Sequence, residues 1–126
     1  MILGIGTDIV SIERFENEKS RMDKMAKKIL TDFELEEYNE LKDFHANYLA
    51  KKWASKEAIA KSFGTGLLGA THWKNIEVRH DSNGKPAVNF YNQLKADADT
   101  LNAKCHLSIS DEADTVVAYS IIEYSV

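Results

Sequence analysis

The order of the segments predicts an α+β fold built on an antiparallel sheet. A strand pattern opens the chain, helix patterns fill residues 11–63, and strand patterns joined by turn signals dominate the remaining half. Helices and strands do not alternate along the chain, which argues against a doubly wound parallel sheet.

Residues 2–10 alternate as a strand, with Leu3, Ile5 and Ile9 on one face and Gly4, Gly6 and Asp8 on the other. The second face is stripped of side chains around one carboxylate, so another group can approach Asp8 closely. Ser11 is placed to cap a short helix carrying Ile12, Arg14 and Phe15. From about Asn17 to Leu30 a basic helix is expected, with Met22, Met25, Ala26, Ile29 and Leu30 as its apolar positions. Thr31-Asp32-Phe33-Glu34 is a capping-box pattern and starts a helix near Asp32 that runs to about Leu41.

The strongest helix pattern spans roughly Ala46 to Phe63, where Leu49, Ala50, Trp53, Ala54 and Ala58 recur at helical spacing. Gly64-Thr65-Gly66 ends it, and a glycine-rich loop continues to Gly69. Trp73 to His80 reads as a strand, Asp81 to Lys85 as a turn, and Pro86 to Phe90 as the returning strand, with the proline at its start. A short helix over residues 91–102 leads to strands over 104–110 and 115–123, joined around Asp111 to Asp114.

Length and composition set the outer bounds. The 126 residues, 44% hydrophobic and 29% charged, describe one globular domain over residues 1–126. No run approaches the ~18 consecutive apolar residues of a membrane span. The N-terminal residues lack the basic start and apolar stretch of a signal peptide. The single Cys105 excludes an internal disulfide or a multi-cysteine zinc site and reads as inert core, so a cytoplasmic setting is expected. A net charge of −4 argues against nucleic-acid binding. Yet Arg14, Lys19, Arg21, Lys24, Lys27 and Lys28 crowd one segment, and Lys51, Lys52, Lys56 and Lys61 another. Such local basic stretches on an acidic chain suit a specific anionic partner, although each alone also reads as a solvated helix face.

On the long helix, Glu57 and Lys61 lie one turn apart and share a face. An exposed ion pair is one reading, and it would contribute only ~0.3–0.5 kcal/mol. The other brings Glu57 against the glycine face of the first strand, where it meets Asp8. Two carboxylates with room for water suit Mg²⁺ completed by substrate phosphates, and Lys61 adds a charge for a phosphate. His45, His72, His80 and His106 show no metal-ligand spacing. Gly4 and Gly6 make no dinucleotide fingerprint.

Taken in order, these pieces resemble the holo-[acyl-carrier-protein] synthases, the short branch of the 4′-phosphopantetheinyl transferases. The likeness is carried by Gly4-Ile5-Gly6-Thr7-Asp8-Ile9-Val10 with Glu13-Arg14, by Ile29-Leu30-Thr31 with Glu34-Leu35, and by Leu49-Ala50. It continues through Lys56-Glu57-Ala58 with Lys61, Gly64-Thr65-Gly66, Asn83-Gly84-Lys85-Pro86, and His106-Leu107-Ser108-Ile109-Ser110-Asp111.

The resemblance implies a 4′-phosphopantetheinyl transferase fold with a long central helix, assembled as a homotrimer with active sites between subunits. It implies transfer of the 4′-phosphopantetheine arm of coenzyme A to a serine of apo-acyl carrier protein. The reaction would be Mg²⁺-dependent, release adenosine 3′,5′-bisphosphate and serve fatty acid biosynthesis. Asp8 and Glu57 would hold the metal, and Lys61 would contact phosphate. Gly64, Asn83, Gly84, Lys85, Pro86, His106 and Ser108 would line the coenzyme A cleft, and Arg14, Arg21 and Lys24 would form a docking helix for the carrier. Asp43-Phe44-His45 stands where the family often carries bases, so Lys52 and His45 are left as candidates for the coenzyme's 3′-phosphate.

Overall fold

The computed structural model describes residues 1–125. Strand β1 (Ile2–Ser11) pairs antiparallel with β5 (Thr115–Glu123), which pairs antiparallel with β4 (Lys104–Glu112). The three-stranded sheet has the order β1-β5-β4, and β2 (Ile76–His80) with β3 (Pro86–Phe90) forms a separate hairpin. The helices are α1 (Lys19–Ile29), α2 (Asp32–Glu40), α3 (His45–Ser62) and α4 (Asn92–Thr100). The expected α+β class and antiparallel pairing are present, divided between two sheets.

Helix α3 lies at the centre. One side packs on β1 and β5, and the other meets α1 and β2. Around it Val10, Ile29, Leu30, Leu49, Val116 and Ala118 form one core, while Ile59, Ile76, Val78 and Leu94 form a second beside the hairpin. Alanines at 50, 54, 58 and 60 keep α3 thin enough to be covered nearly all round.

The capping box forms as its pattern predicts: the Thr31 hydroxyl accepts from the Glu34 amide, and the Glu34 carboxylate accepts from the Thr31 amide at 2.9 Å. The turn after β2 closes on Asp81, whose Oδ1 accepts from the Asn83 and Lys85 amides, with Gly84 at φ +80°.

Three local expectations are corrected. Ser11 does not cap a helix; it ends β1 opposite Thr115, and the 3₁₀ turn Ile12–Phe15 is tied instead by the Ile12 amide donating to Asp114 O. Strand β2 begins at Ile76, because Trp73–Asn75 is a 3₁₀ turn. Arg14 belongs to the turn Ile12–Phe15 rather than to the basic helix, which starts at Lys19.

Candidate active site

Strand β1 turns its glycines toward α3. A Cβ on Gly6 would fall 1.9 Å from the Ala58 carbonyl oxygen, and one on Gly4 would fall 2.2 Å from that of Ser62. Neither glycine has a positive φ, so close approach, not backbone conformation, demands them. The missing side chains let the last turns of α3 lie directly on the strand. That brings Glu57 and Lys61 over Asp8, two residues beyond Gly6.

Lys61 turns to β1 rather than back along its helix: its Nζ donates to Thr7 O at 2.9 Å and lies 3.3 Å from Asp8 Oδ1. The other carboxylate oxygen of Asp8, Oδ2, is buried and has no hydrogen-bond partner among the described residues. Such an orphaned anionic oxygen is costly unless a cation or donor completes it. Glu57 is half-buried. Burial and then the charge of Asp8 raise its pKa, while Lys61 and Arg14 pull it down. Two carboxylates thus feel one another across a small space, and a single divalent cation would relieve both the repulsion and the orphaned oxygen. Arg14 flanks the site, with its guanidinium stacked 4.7 Å over the Trp53 ring.

Gly64 follows Phe63, the C-cap of α3, at φ +81°. His106 and Ser108 do not join the group. They stand exposed on β4, where the register pairs them with Ile121 and Tyr119 in the outward row, whereas Asp8 pairs with the inward Ala118. Asn83, Gly84, Lys85 and Pro86 occupy the tip of the β2–β3 hairpin. Arg21 and Lys24 are exposed on α1. Cys105 is half-buried and its thiol is pushed up to about 11 by burial, as inert core requires.

Lys52 does not fit a phosphate-gripping role, because it is buried with its Nζ donating to Val78 O at 2.6 Å. Its neighbour one turn on, Lys56, is wholly buried against Glu34, a contact that sequence periodicity missed. The only hint was a pair of lysines four residues apart amid buried alanines.

The family model for the 4′-phosphopantetheinyl transferase superfamily matches residues 4–119. The holo-[acyl-carrier-protein] synthase of Dechloromonas aromatica is 41% identical over 126 residues, covering 99% of this chain and all of that one. The crystal structure of holo-[acyl-carrier-protein] synthase from Neisseria meningitidis superposes with a TM-score of 0.86 at 42% identity, over 98% of this chain and 99% of that one. The Bacillus anthracis synthase, solved in complex with CoA (3′,5′-ADP), gives 0.80 at 34% identity over 99% of each chain. The chain therefore belongs to the 4′-phosphopantetheinyl transferase superfamily, and within it to the holo-[acyl-carrier-protein] synthase family of enzymes. Its activity is phosphopantetheinyl transfer.

Proposed function

We propose that the chain is a single-domain, Mg²⁺-dependent transferase that moves the 4′-phosphopantetheine arm of coenzyme A to a serine of an apo-acyl carrier protein. Adenosine 3′,5′-bisphosphate is the second product, and the pathway served is fatty acid biosynthesis in the cytoplasm. No described helix is long and apolar enough to cross a membrane.

The observation that carries this reading is Asp8 Oδ2, buried and unpartnered beside Glu57 and Lys61. Asp8 and Glu57 would hold the ion, which when bound would draw charge from the pyrophosphate oxygens. The serine oxygen attacks the β-phosphorus of coenzyme A, and the bond from that phosphorus to the bridging oxygen breaks. The serine proton passes to a carboxylate oxygen of the pair or to a water held beside it, and the adenosine bisphosphate leaves with the bridging oxygen. Such a step needs little covalent help from the protein beyond in-line positioning and neutralised charge. Lys61 contributes the second part: anchored by Thr7 O, its half-exposed ammonium adds a positive charge where the leaving phosphate gains a negative one.

The same chemistry extends to the other residues. Arg21 and Lys24 on α1, with Arg14 stacked on Trp53 of α3, steer the acidic carrier and set its serine in register. Gly64, the hairpin tip from Asn83 to Pro86, and His106 with Ser108 line the coenzyme A cleft. A homotrimer is supported by the outward sheet face, where Ile5 and Ile9 are 58% and 66% exposed beside Val117 and Tyr119.

Incubation with apo-carrier, coenzyme A and Mg²⁺ is expected to add an arm of ~340 Da to the carrier by mass spectrometry. Asp8→Ala and Glu57→Ala should each abolish that gain with the circular dichroism spectrum unchanged. A folded double variant that still modifies the carrier at the wild-type rate would refute the site.

A further inference from the structure

Lys56 precedes Glu57 in sequence but points away from β1. Its ammonium uses all three hydrogens inside the protein: on Glu34 Oε1 at 2.6 Å, on Ile29 O at 2.6 Å and on Trp73 O at 3.0 Å. Glu34 is as fully buried. Its Oε1 also accepts from the Thr31 amide, and its Oε2 accepts from the Val78 amide at 2.7 Å. Lys52, one turn before Lys56, takes the carbonyl of that same Val78. The Thr31 hydroxyl extends the lattice to Glu77 Oε1 at 2.6 Å. One lysine on α3 is thus tied to the end of α1, the start of α2 and the 3₁₀ turn that precedes β2, and through Glu34 to β2 itself.

Stability alone is a poor reason for such a pair, since apolar residues of similar volume often serve the fold as well or better. The opposite side of α3 supplies the reason. There Ala58 and Ser62 meet glycines, and the directional bonds, Ser62 Oγ with Ser120 Oγ at 3.0 Å and Lys61 Nζ to Thr7 O at 2.9 Å, come only after Glu57, so the rotation and axial position of the Glu57 turn need a further hold. Directional bonds on the far side can set both. Resting on the reading of Asp8 and Glu57 as the metal-holding pair, we infer that the Lys56–Glu34 pair is a positioning device, registering α3 so that Glu57 meets Asp8 at the distance one divalent ion requires.

Mn²⁺ titrated into the protein with coenzyme A present, followed by electron paramagnetic resonance, reads the site without turnover. The pair is neutralised in Lys56→Met/Glu34→Gln, which keeps the volume and the capping acceptor. The dissociation constant of Mn²⁺ should rise about tenfold or more, while KM for the carrier stays within about twofold. Placed in a Glu57→Gln background, the same double change should add nothing, because it acts through Glu57 alone. An unchanged Mn²⁺ affinity in the folded variant, or an additive loss on top of Glu57→Gln, overturns the proposal. If the double variant does not fold, Glu34→Asp keeps the charge and shortens the reach; wild-type Mn²⁺ affinity there overturns it equally. Asp8→Asn separates the two levels. If it leaves Mn²⁺ binding intact, the site itself is misread; if it abolishes binding while the Lys56–Glu34 variants do not, only the positioning role falls.

Discussion

Gly6→Ala is the smallest change that should break the site without touching any group in it. The new Cβ would sit 1.9 Å from the Ala58 carbonyl oxygen and 2.8 Å from the Ser62 amide nitrogen, where ordinary contact begins at 3.4 Å. The obstruction is helix backbone, so no side chain can swing clear; α3 must withdraw from β1 by roughly 1.5 Å. Overpacking of this kind costs about 2–3 kcal/mol, which for a chain of this length lowers Tm by ~10 °C. Ala58 is the residue after Glu57, so the carboxylate retreats with the helix, and a misplacement on the 1 Å scale costs on the order of a hundredfold in kcat. Differential scanning calorimetry and the carrier mass-shift assay measure the two effects. Gly4→Ala serves as the control: its Cβ meets Ser62 O at 2.2 Å, beyond the Glu57 turn, so a similar fall in Tm should accompany only about a tenfold loss of rate. A Gly6→Ala protein with wild-type Tm and rate would show that the strand and helix are not in the contact described, and the convergence of Asp8 with Glu57 would lose its basis.

Two further outcomes are expected. Glu77 is raised by burial but brought down to about 2 by hydrogen bonds from Thr31, Tyr91, Arg79 and Asn89, below its ordinary 4.5. A depressed carboxyl stabilises the fold above its unfolded pKa and loses that contribution as pH falls through the folded value, so the Tm gap between wild type and Glu77→Gln should close between about pH 4.5 and 2. A gap constant over that range in calorimetry would contradict the assignment. Arg21→Glu with Lys24→Glu should raise KM for the carrier about tenfold or more and leave KM for coenzyme A unchanged, with the difference shrinking as salt is added. Steady-state kinetics in which both constants rise together would argue against α1 as the docking surface.

The legible features of the sequence were local ones. The capping box at Thr31, the run of α3, the Asp81 turn and the bare glycine face of β1 each depend on residues within a few positions of one another, where propensity and side-chain geometry act directly. Asp8 and Glu57 became legible as a pair because glycine on a strand and alanine on a helix both announce close approach. Lys52 and Lys56 stayed hidden. Charged residues four apart on a helix normally mark its wet side, and the partners that permit burial, Val78 O and Glu34, lie 26 and 22 residues away. Periodicity carries no record of such distant pairing. Ser11 was misread for a related reason: its capping preference is worth about 1 kcal/mol, less than the cross-strand ladder that keeps it opposite Thr115. Nor does alternation say which face of a strand is inward, and β1 shows its isoleucines to the outside.

That inversion bears on how the site is completed. Outward from β1 across β5 to β4, the rows run Ile5–Ile121–His106, Thr7–Tyr119–Ser108 and Ile9–Val117–Ser110. His106 and Ser108 therefore share a surface with exposed isoleucines, on the side of the sheet opposite Asp8. If the outward face is where subunits of the proposed trimer meet, the same contact that covers Ile5 and Ile9 carries His106 and Ser108 toward the Asp8 and Glu57 of a neighbour. The two halves of the site then come from different chains. Mixing settles the matter quantitatively. In a cyclic trimer assembled at random from equal amounts of Asp8→Asn and His106→Ala chains, about a quarter of the shared sites receive both native residues. Two preparations that are each inactive, unfolded together and refolded as a mixture, should recover about a quarter of the wild-type rate in the mass-shift assay. If both residues instead serve a site within one chain, every site in the mixture lacks one of them, and no activity returns.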